Sequence, residues 1–210
     1  MIRVLIVEDH EIVRRGLKEV LGDEFSDLKI GEAKNSRAAL ELITAQEWDI
    51  VLLDINIPGR NGLEVITDIK RLRPRTPVLV LSAYPEEEFA IRALKLGASG
   101  YLNKSLGSGE ILAAAKKVLA GGKYVTASLV EKLVTAIGTD VEQAPHESLS
   151  GRELQVLRMT AQGRTSKEIA AELALSEKTV GTYRARISKK LGLATNVELT
   201  RYAMQHRLVD

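Results

Sequence analysis

A chain of 210 residues holds one large domain or two small ones, and its 45% hydrophobic and 28% charged content excludes a disordered or fibrous protein. No apolar run nears the ~20 residues of a membrane-crossing helix, the first residues lack a secretory layout, and zero Cys excludes disulfides and thiolate chemistry, as suits a reducing cytoplasm. Charge is uneven: residues 1–126 hold 18 basic and 18 acidic side chains, 127–147 one and four, and 148–210 eleven and six, so a polyanion is expected at the C-terminal end.

The first 120 residues alternate β-branched runs with amphipathic stretches. Strands are predicted at Ile2–Val7, Leu28–Ala33, Asp49–Leu53, Val78–Leu81 and Gly100–Leu102, and helices at about 11–21, 36–45, 62–72, 86–96 and 108–120. Five strand-then-helix units specify an open α/β domain on a five-stranded parallel sheet. Ile2–Val7, Ile50–Leu53 and Val78–Leu81 are nearly continuous apolar runs, as strands covered on both faces require. In such sheets functional groups gather beyond the carboxyl ends of the strands, where strand order reverses. That rule selects Glu8 and Asp9 after the first strand, Asp54 after the third, Ser82 after the fourth and Lys104 after the fifth. Gly121-Gly122 ends the fifth helix. A further helix is expected over about 127–137, and residues 138–148, with acids and Pro145, read as an exposed linker.

From Leu149 the pattern is helical throughout. Ser150…Glu153, Thr165…Glu168 and Thr195…Glu198 match the S/T-x-x-E capping box, and Ser176 is a fourth N-cap candidate. Gly163 and Gly192 fall where helices should stop, giving four helices near 150–162, 166–173, 176–191 and 195–206. In the third, Val180, Tyr183, Ile187 and Leu191 form one buried stripe. Lys178, Thr182, Arg186 and Lys189 share the opposite face, flanked by Arg184 and Lys190. Two short helices joined by a tight turn, the second of them basic, describe a helix-turn-helix. Its bases suit a phosphate backbone, and Arg is able to read guanine; the plain alternative is a solvated basic face.

Three acids at one rim repel one another unless a hard cation such as Mg²⁺ sits among them. Asp54 would then be a nucleophile toward a phosphoryl group, becoming an acyl phosphate. Lys104 would neutralise charge on the phosphoryl oxygens and Ser82 would hydrogen-bond the product. The plain alternative is three solvated acids on loops. His10, His146 and His206, widely spaced in the chain, are read as surface or packing residues, and Trp48 as an apolar anchor.

The runs Val7-Glu8-Asp9-His10, Leu52-Leu53-Asp54-Ile55-Asn56-Ile57-Pro58-Gly59, Leu81-Ser82-Ala83 and Gly100-Tyr101-Leu102-Asn103-Lys104 together resemble a response-regulator receiver domain. The resemblance covers residues 1 to about 120. It implies a flavodoxin-like fold with Asp54 as phosphoacceptor. It also implies Mg²⁺ (or Mn²⁺) bound by Asp9, Asp54 and the Asn56 carbonyl, with Glu8 helping through water. Ser82 and Tyr101 are implied as a switch pair and Lys104 as the phosphate's partner. Ser105 departs from the Pro that many receivers carry there. Leu149-Ser150-Gly151-Arg152-Glu153, Gly163-Arg164-Thr165-Ser166-Lys167-Glu168-Ile169-Ala170 and Ser176-Glu177-Lys178-Thr179-Val180 resemble the LuxR-type helix-turn-helix. Receiver plus LuxR-type module is the NarL/FixJ arrangement.

The implied domains are a receiver at 1–122, a linker with a helix at 123–147 and an all-α four-helix DNA-binding domain at 148–210. Expected DNA contacts are Lys167, Lys178, Thr179, Thr182, Arg184, Arg186, Lys189 and Lys190. Gly181 departs from the Lys that many members carry, which removes a base contact and permits close approach to the DNA backbone. The implied partners are a sensor histidine kinase, double-stranded DNA, a second copy on activation and RNA polymerase, in the cytoplasm and without a membrane. The chain would be no enzyme beyond slow self-catalysed phosphorylation and dephosphorylation. The alternatives are a phosphohydrolase using Asp54 and a constitutive DNA binder with a structural receiver. A flavodoxin-like cofactor binder is disfavoured, since no Gly-rich phosphate loop follows any strand.

Overall fold

A computed structural model describes residues 1–58, 62–83, 86–126, 129–130, 145–206 and 208–209. The chain divides into two compact units, Met1–Asp140 and Val141–Asp210.

The first unit is a five-stranded sheet in the order β2-β1-β3-β4-β5, all parallel. The strands are β1 Ile2–Val7, β2 Leu28–Ala33, β3 Ile50–Asp54, β4 Val78–Ser82 and β5 Gly100–Asn103. The helices are α1 Glu11–Glu24, α2 Ser36–Ala45, α3 Gly62–Leu72, α4 Glu86–Lys95 and α5 Ser108–Leu119. Successive strand residues face opposite sides. Val4, Ile6, Ile50, Leu52, Leu79, Leu81 and Leu102 therefore share one face, where they pack with Leu17 and Leu21 of α1 and Ala114, Ala115 and Val118 of α5. Leu5, Val7, Val51, Leu53 and Val80 point to the other face and are equally buried. Each such side chain contributes roughly 1.5–3 kcal/mol of apolar burial, which is why β1, β3 and β4 read as unbroken apolar runs.

Small departures from expectation have local causes. α1 continues three residues beyond the expected end, with Phe25 N–H still bonding Leu21 O at 3.0 Å. β3 ends on Asp54 itself rather than before it, because Asp54 still pairs in register with Leu81. Past α5 the chain returns to the sheet edge, and Tyr124 bridges Gly100 in parallel. Apart from 129–130, the helix expected over 127–137 lies outside the described residues.

The second unit opens with a short 3-10 turn, Pro145–Ser148, followed by α6 Gly151–Ala161, α7 Ser166–Glu172, α8 Glu177–Leu191 and α9 Asn196–Gln205. All three expected capping boxes form, and Ser176 accepts from Thr179 N–H at 3.1 Å. α8 ends on Gly192 in the left-handed region at φ 68°, a conformation that costs Gly little. Ala174, between α7 and α8, takes φ 53° without that freedom. Among the described residues no helix is long and apolar enough to cross a membrane.

Candidate functional site

Strand order reverses between β1 and β3, and the carboxyl ends of these two neighbours carry the acids. Val7 pairs with Leu53, so Glu8 and Asp9 follow β1 directly beside Asp54. One ligand atom from each of Glu8, Asp9, His10 and Asp54 lies within 4.8 Å of the others. The loop after Asp54 is closed by two contacts: Asn56 N–H donates to Asp54 Oδ1 at 3.0 Å, and Gly62 N–H donates to Ile55 O at 3.1 Å. A Cβ on Gly62 would stand 2.5 Å from Ile55 Cα and 2.9 Å from Asp54 O. No other residue lets α3 start this close behind Asp54.

Lys104 reaches the acids from two strands away. Its backbone N–H bonds Ser82 O at 2.7 Å, tying the end of β5 to β4. Its ammonium donates to Asp54 Oδ2 at 2.8 Å and to Glu8 Oε2. Glu8 Oε1 is held by the His10 backbone at 3.1 Å and faces the His10 ring nitrogen Nδ1 at 3.0 Å. Glu8 and Asp54 thus have every carboxylate oxygen engaged, while being only 1% and 3% exposed. Burial pushes the Asp54 carboxyl above its ordinary range, against the pull of Lys104. Burial alone would lower Lys104, but the Asp54 and Glu8 carboxylates outweigh it and hold the ammonium above the ordinary lysine range.

Asp9 is the exception. Its Oδ1 is buried and takes part in no hydrogen bond, although His10 Nδ1 lies 2.9 Å away. A buried carboxylate oxygen that makes no hydrogen bond, among oxygens of two more acids, suits a hard divalent cation that takes oxygen ligands. The donor set therefore fits Mg²⁺ or Mn²⁺.

Ser82 and Tyr101 are both fully buried on adjacent strands, with Val80 paired to Tyr101. The Tyr101 ring lies inside the unit. Among the described residues no peptide bond is cis, and Ser105 N–H bonds Asn103 Oδ1 at 2.8 Å. Two rim residues escaped the sequence reading. His10 is not isolated but touches both acids of its loop, and buried Arg14 supports that loop from α1. The signal for Arg14 is its place at the head of the Leu17, Leu21 stripe.

In the second unit Val180 and Ile187 are buried, and Lys178, Thr182, Arg186 and Lys189 of α8 are exposed, as is Lys167 of α7. Gly181 lies on this open side: a Cβ there would meet nothing within 4 Å, so internal packing does not demand glycine. Four candidates are engaged within the unit, Thr182 only through its hydroxyl, which donates to Lys178 O of its own helix at 3.0 Å. Arg184 donates to Ser166 Oγ at 3.0 Å and to Asn196. Lys190 donates to Glu153 at 2.7 Å and to Ser148 O at 3.0 Å. The Thr179 hydroxyl lies 2.8 Å from Ser176 Oγ at the cap of α8. His146 and His206, far apart in sequence, meet around Tyr202, with ring centroids 5.0 Å apart.

Comparison with known proteins matches residues 4–116 to the response regulator receiver domain and residues 147–203 to the bacterial regulatory proteins of the luxR family. The chain is 36% identical to the response regulator GacA of Pseudomonas aeruginosa, with 100% of this chain and 99% of that protein covered. It is similar to a structure of RcsB from Salmonella enterica serovar Typhimurium bound to a promoter in the presence of the phosphomimetic BeF3⁻. There the identity is 27% and the TM-score 0.57, over 96% of this chain and 97% of the other. A structure of two RcsB dimers bound to two parallel DNAs is 26% identical with a TM-score of 0.58, over 97% and 98%.

Proposed function

Because the chain belongs to the NarL/FixJ-type two-component response regulators, with a receiver domain and a LuxR-type DNA-binding helix-turn-helix, we propose that phosphorylation of Asp54 controls its DNA binding. It is a transcription regulator rather than a conventional enzyme, and the phosphohydrolase alternative falls with that membership. The carrying observation is Asp54 at the strand-order reversal, 2.8 Å from the Lys104 ammonium and beside the buried Asp9 Oδ1, which makes no hydrogen bond.

An Asp54 carboxylate oxygen attacks phosphorus, and the bond to the donor, a histidine nitrogen of a sensor kinase, breaks with its electron pair. Lys104 is already at the rim to neutralise the arriving phosphoryl oxygens. Asp9, Asp54 and the Asn56 carbonyl, helped by Glu8, would hold a divalent cation, which when bound would supply further positive charge against those oxygens. The Ser82 hydroxyl donates a hydrogen bond to the new phosphate, and Tyr101 follows it as the packing partner. The modification shifts an equilibrium between two receiver surfaces.

The shift favours a homodimer, which sets two helix-turn-helix units on half-sites of double-stranded DNA. Lys167, Lys178, Thr182, Arg186 and Lys189 face the DNA, while Thr179, Arg184 and Lys190 position α8 from within the unit. The relatives solved with DNA support this assignment. Contact with RNA polymerase and action in the cytoplasm complete the reading, with a receiver at 1–122, a linker at 123–147 and a DNA-binding domain at 148–210. The test is Mg²⁺-dependent labelling of full-length protein by a small phosphodonor. Asp54→Asn should abolish it; undiminished labelling would overturn the assignment. Equal DNA affinity with and without phosphodonor, at a stated salt concentration, would favour the constitutive binder.

A further inference from the structure

The loop carrying Glu8 and Asp9 lacks the usual means of support. His10, the residue before α1, makes no side-chain capping bond. In its place Arg14, one turn into α1, is 5% exposed and turns its guanidinium back beneath the loop. One nitrogen, Nη1, donates to Glu8 O at 2.9 Å and to Asp9 O at 3.0 Å. Nε donates to Glu32 Oε2 at 3.2 Å, and Lys18 holds the other Glu32 oxygen at 2.6 Å. Glu32 sits on β2 in register with Ile6, so the anchor is the sheet itself. Glu8 N–H bonds Ala33 O at 3.0 Å from the same strand.

Peptide planes held on both sides of a Cα fix its φ and ψ and so the direction of its Cα–Cβ bond, and the bonds of Glu8 N–H, Glu8 O and Asp9 O hold the planes flanking both acids. With both carbonyls drawn to Arg14, the Glu8 and Asp9 side chains are left over the rim, toward Asp54. We infer that Arg14 is a positioning residue for the acidic site: it presets the two carboxylates for a divalent cation without touching the cation itself. The rigid guanidinium fork serves two carbonyls from Nη1 and a carboxylate from Nε together. Supports of this kind commonly change metal affinity by 10–100-fold. The inference rests on the metal reading of the rim.

The test measures Mn²⁺ affinity of the full chain by titration calorimetry, with urea unfolding followed by Trp48. That residue is the sole Trp and is buried in the first unit. Arg14→Met strands no buried charge, since Glu32 is 38% exposed and keeps Lys18. It should weaken Mn²⁺ binding about tenfold or more. Arg14→Lys, which keeps the charge, should recover part of that loss. Val118→Ala, a cavity in the α5 core, should lower the unfolding midpoint yet bind Mn²⁺ within about twofold of wild type. Wild-type affinity in Arg14→Lys and Arg14→Met, or equal weakening in Val118→Ala, overturns the inference alone. Wild-type protein that takes up no Mn²⁺ overturns the metal reading and this inference with it.

Discussion

In the first unit the functional candidates come from four strand ends spread over residues 8–104 and are largely buried, whereas in the second all but Lys167 lie on one helix and most face outward. The contrast follows from the tasks. A phosphoryl group is small and is held by a few charges brought within hydrogen-bond reach, which burial strengthens and tertiary structure alone assembles. A DNA backbone is a long polyanion, met by repeated charges that stay hydrated until contact. One site is therefore sensitive to every neighbour, and the other nearly additive.

Mutations sharpen this difference. The largest effect is expected at Lys104: Lys104→Met should slow phosphodonor labelling of Asp54 by about a hundredfold or more, as loss of a single preorganised charge does. Loss of only a few-fold would mean that the rim does not act as one site.

Next is Lys190, a basic residue of α8 that behaves like the first unit's charges. Lys190→Met leaves the Glu153 carboxylate buried without its ammonium and should cost roughly 1–3 kcal/mol, read by amide exchange in 151–161. The same pair predicts a pH effect. Burial raises the Glu153 carboxyl, but Lys190 and the Ser150 cap pull it below its ordinary 4.5. Its stabilisation is thus present above about 4.5 and lost as pH falls through the depressed folded value. Protection in α6 should drop over that acid range in wild type and less in Lys190→Met. Equal acid sensitivity in both proteins would contradict the assignment.

Smaller effects belong to the exposed face. Lys178→Ala and Arg186→Ala should each lower the salt slope of DNA binding by about 1 while changing stability by no more than about 0.5 kcal/mol. An unchanged slope removes that residue from the interface. A last, modest change is expected at Ala174, where Ala174→Gly relieves the left-handed turn and should stabilise the second unit by about 0.5–1 kcal/mol in thermal unfolding without altering the salt slope.

Much of this was legible because it is local. Apolar run lengths marked the strands, and the three capping boxes at 150, 165 and 195 all form. A box needs only four consecutive residues to satisfy its own amides. Arg184 and Lys190 show where that reasoning stops. Their spacing put them beside the basic face, yet their partners Ser166, Asn196 and Glu153 lie on other helices. Arg14 and the His146–Tyr202–His206 cluster were likewise invisible, since each depends on segments that meet only after folding.

From its residues alone this protein was readable as an acid-rimmed parallel sheet followed by a basic four-helix module, since periodicity and chain order carry that information. What folding added was the company each charge keeps: a lysine between two carboxylates, an arginine beneath the loop, a buried aspartate oxygen that makes no hydrogen bond. These are through-space relations between positions up to 96 residues apart, and the energies that decide them depend on burial and distance, which no linear pattern contains.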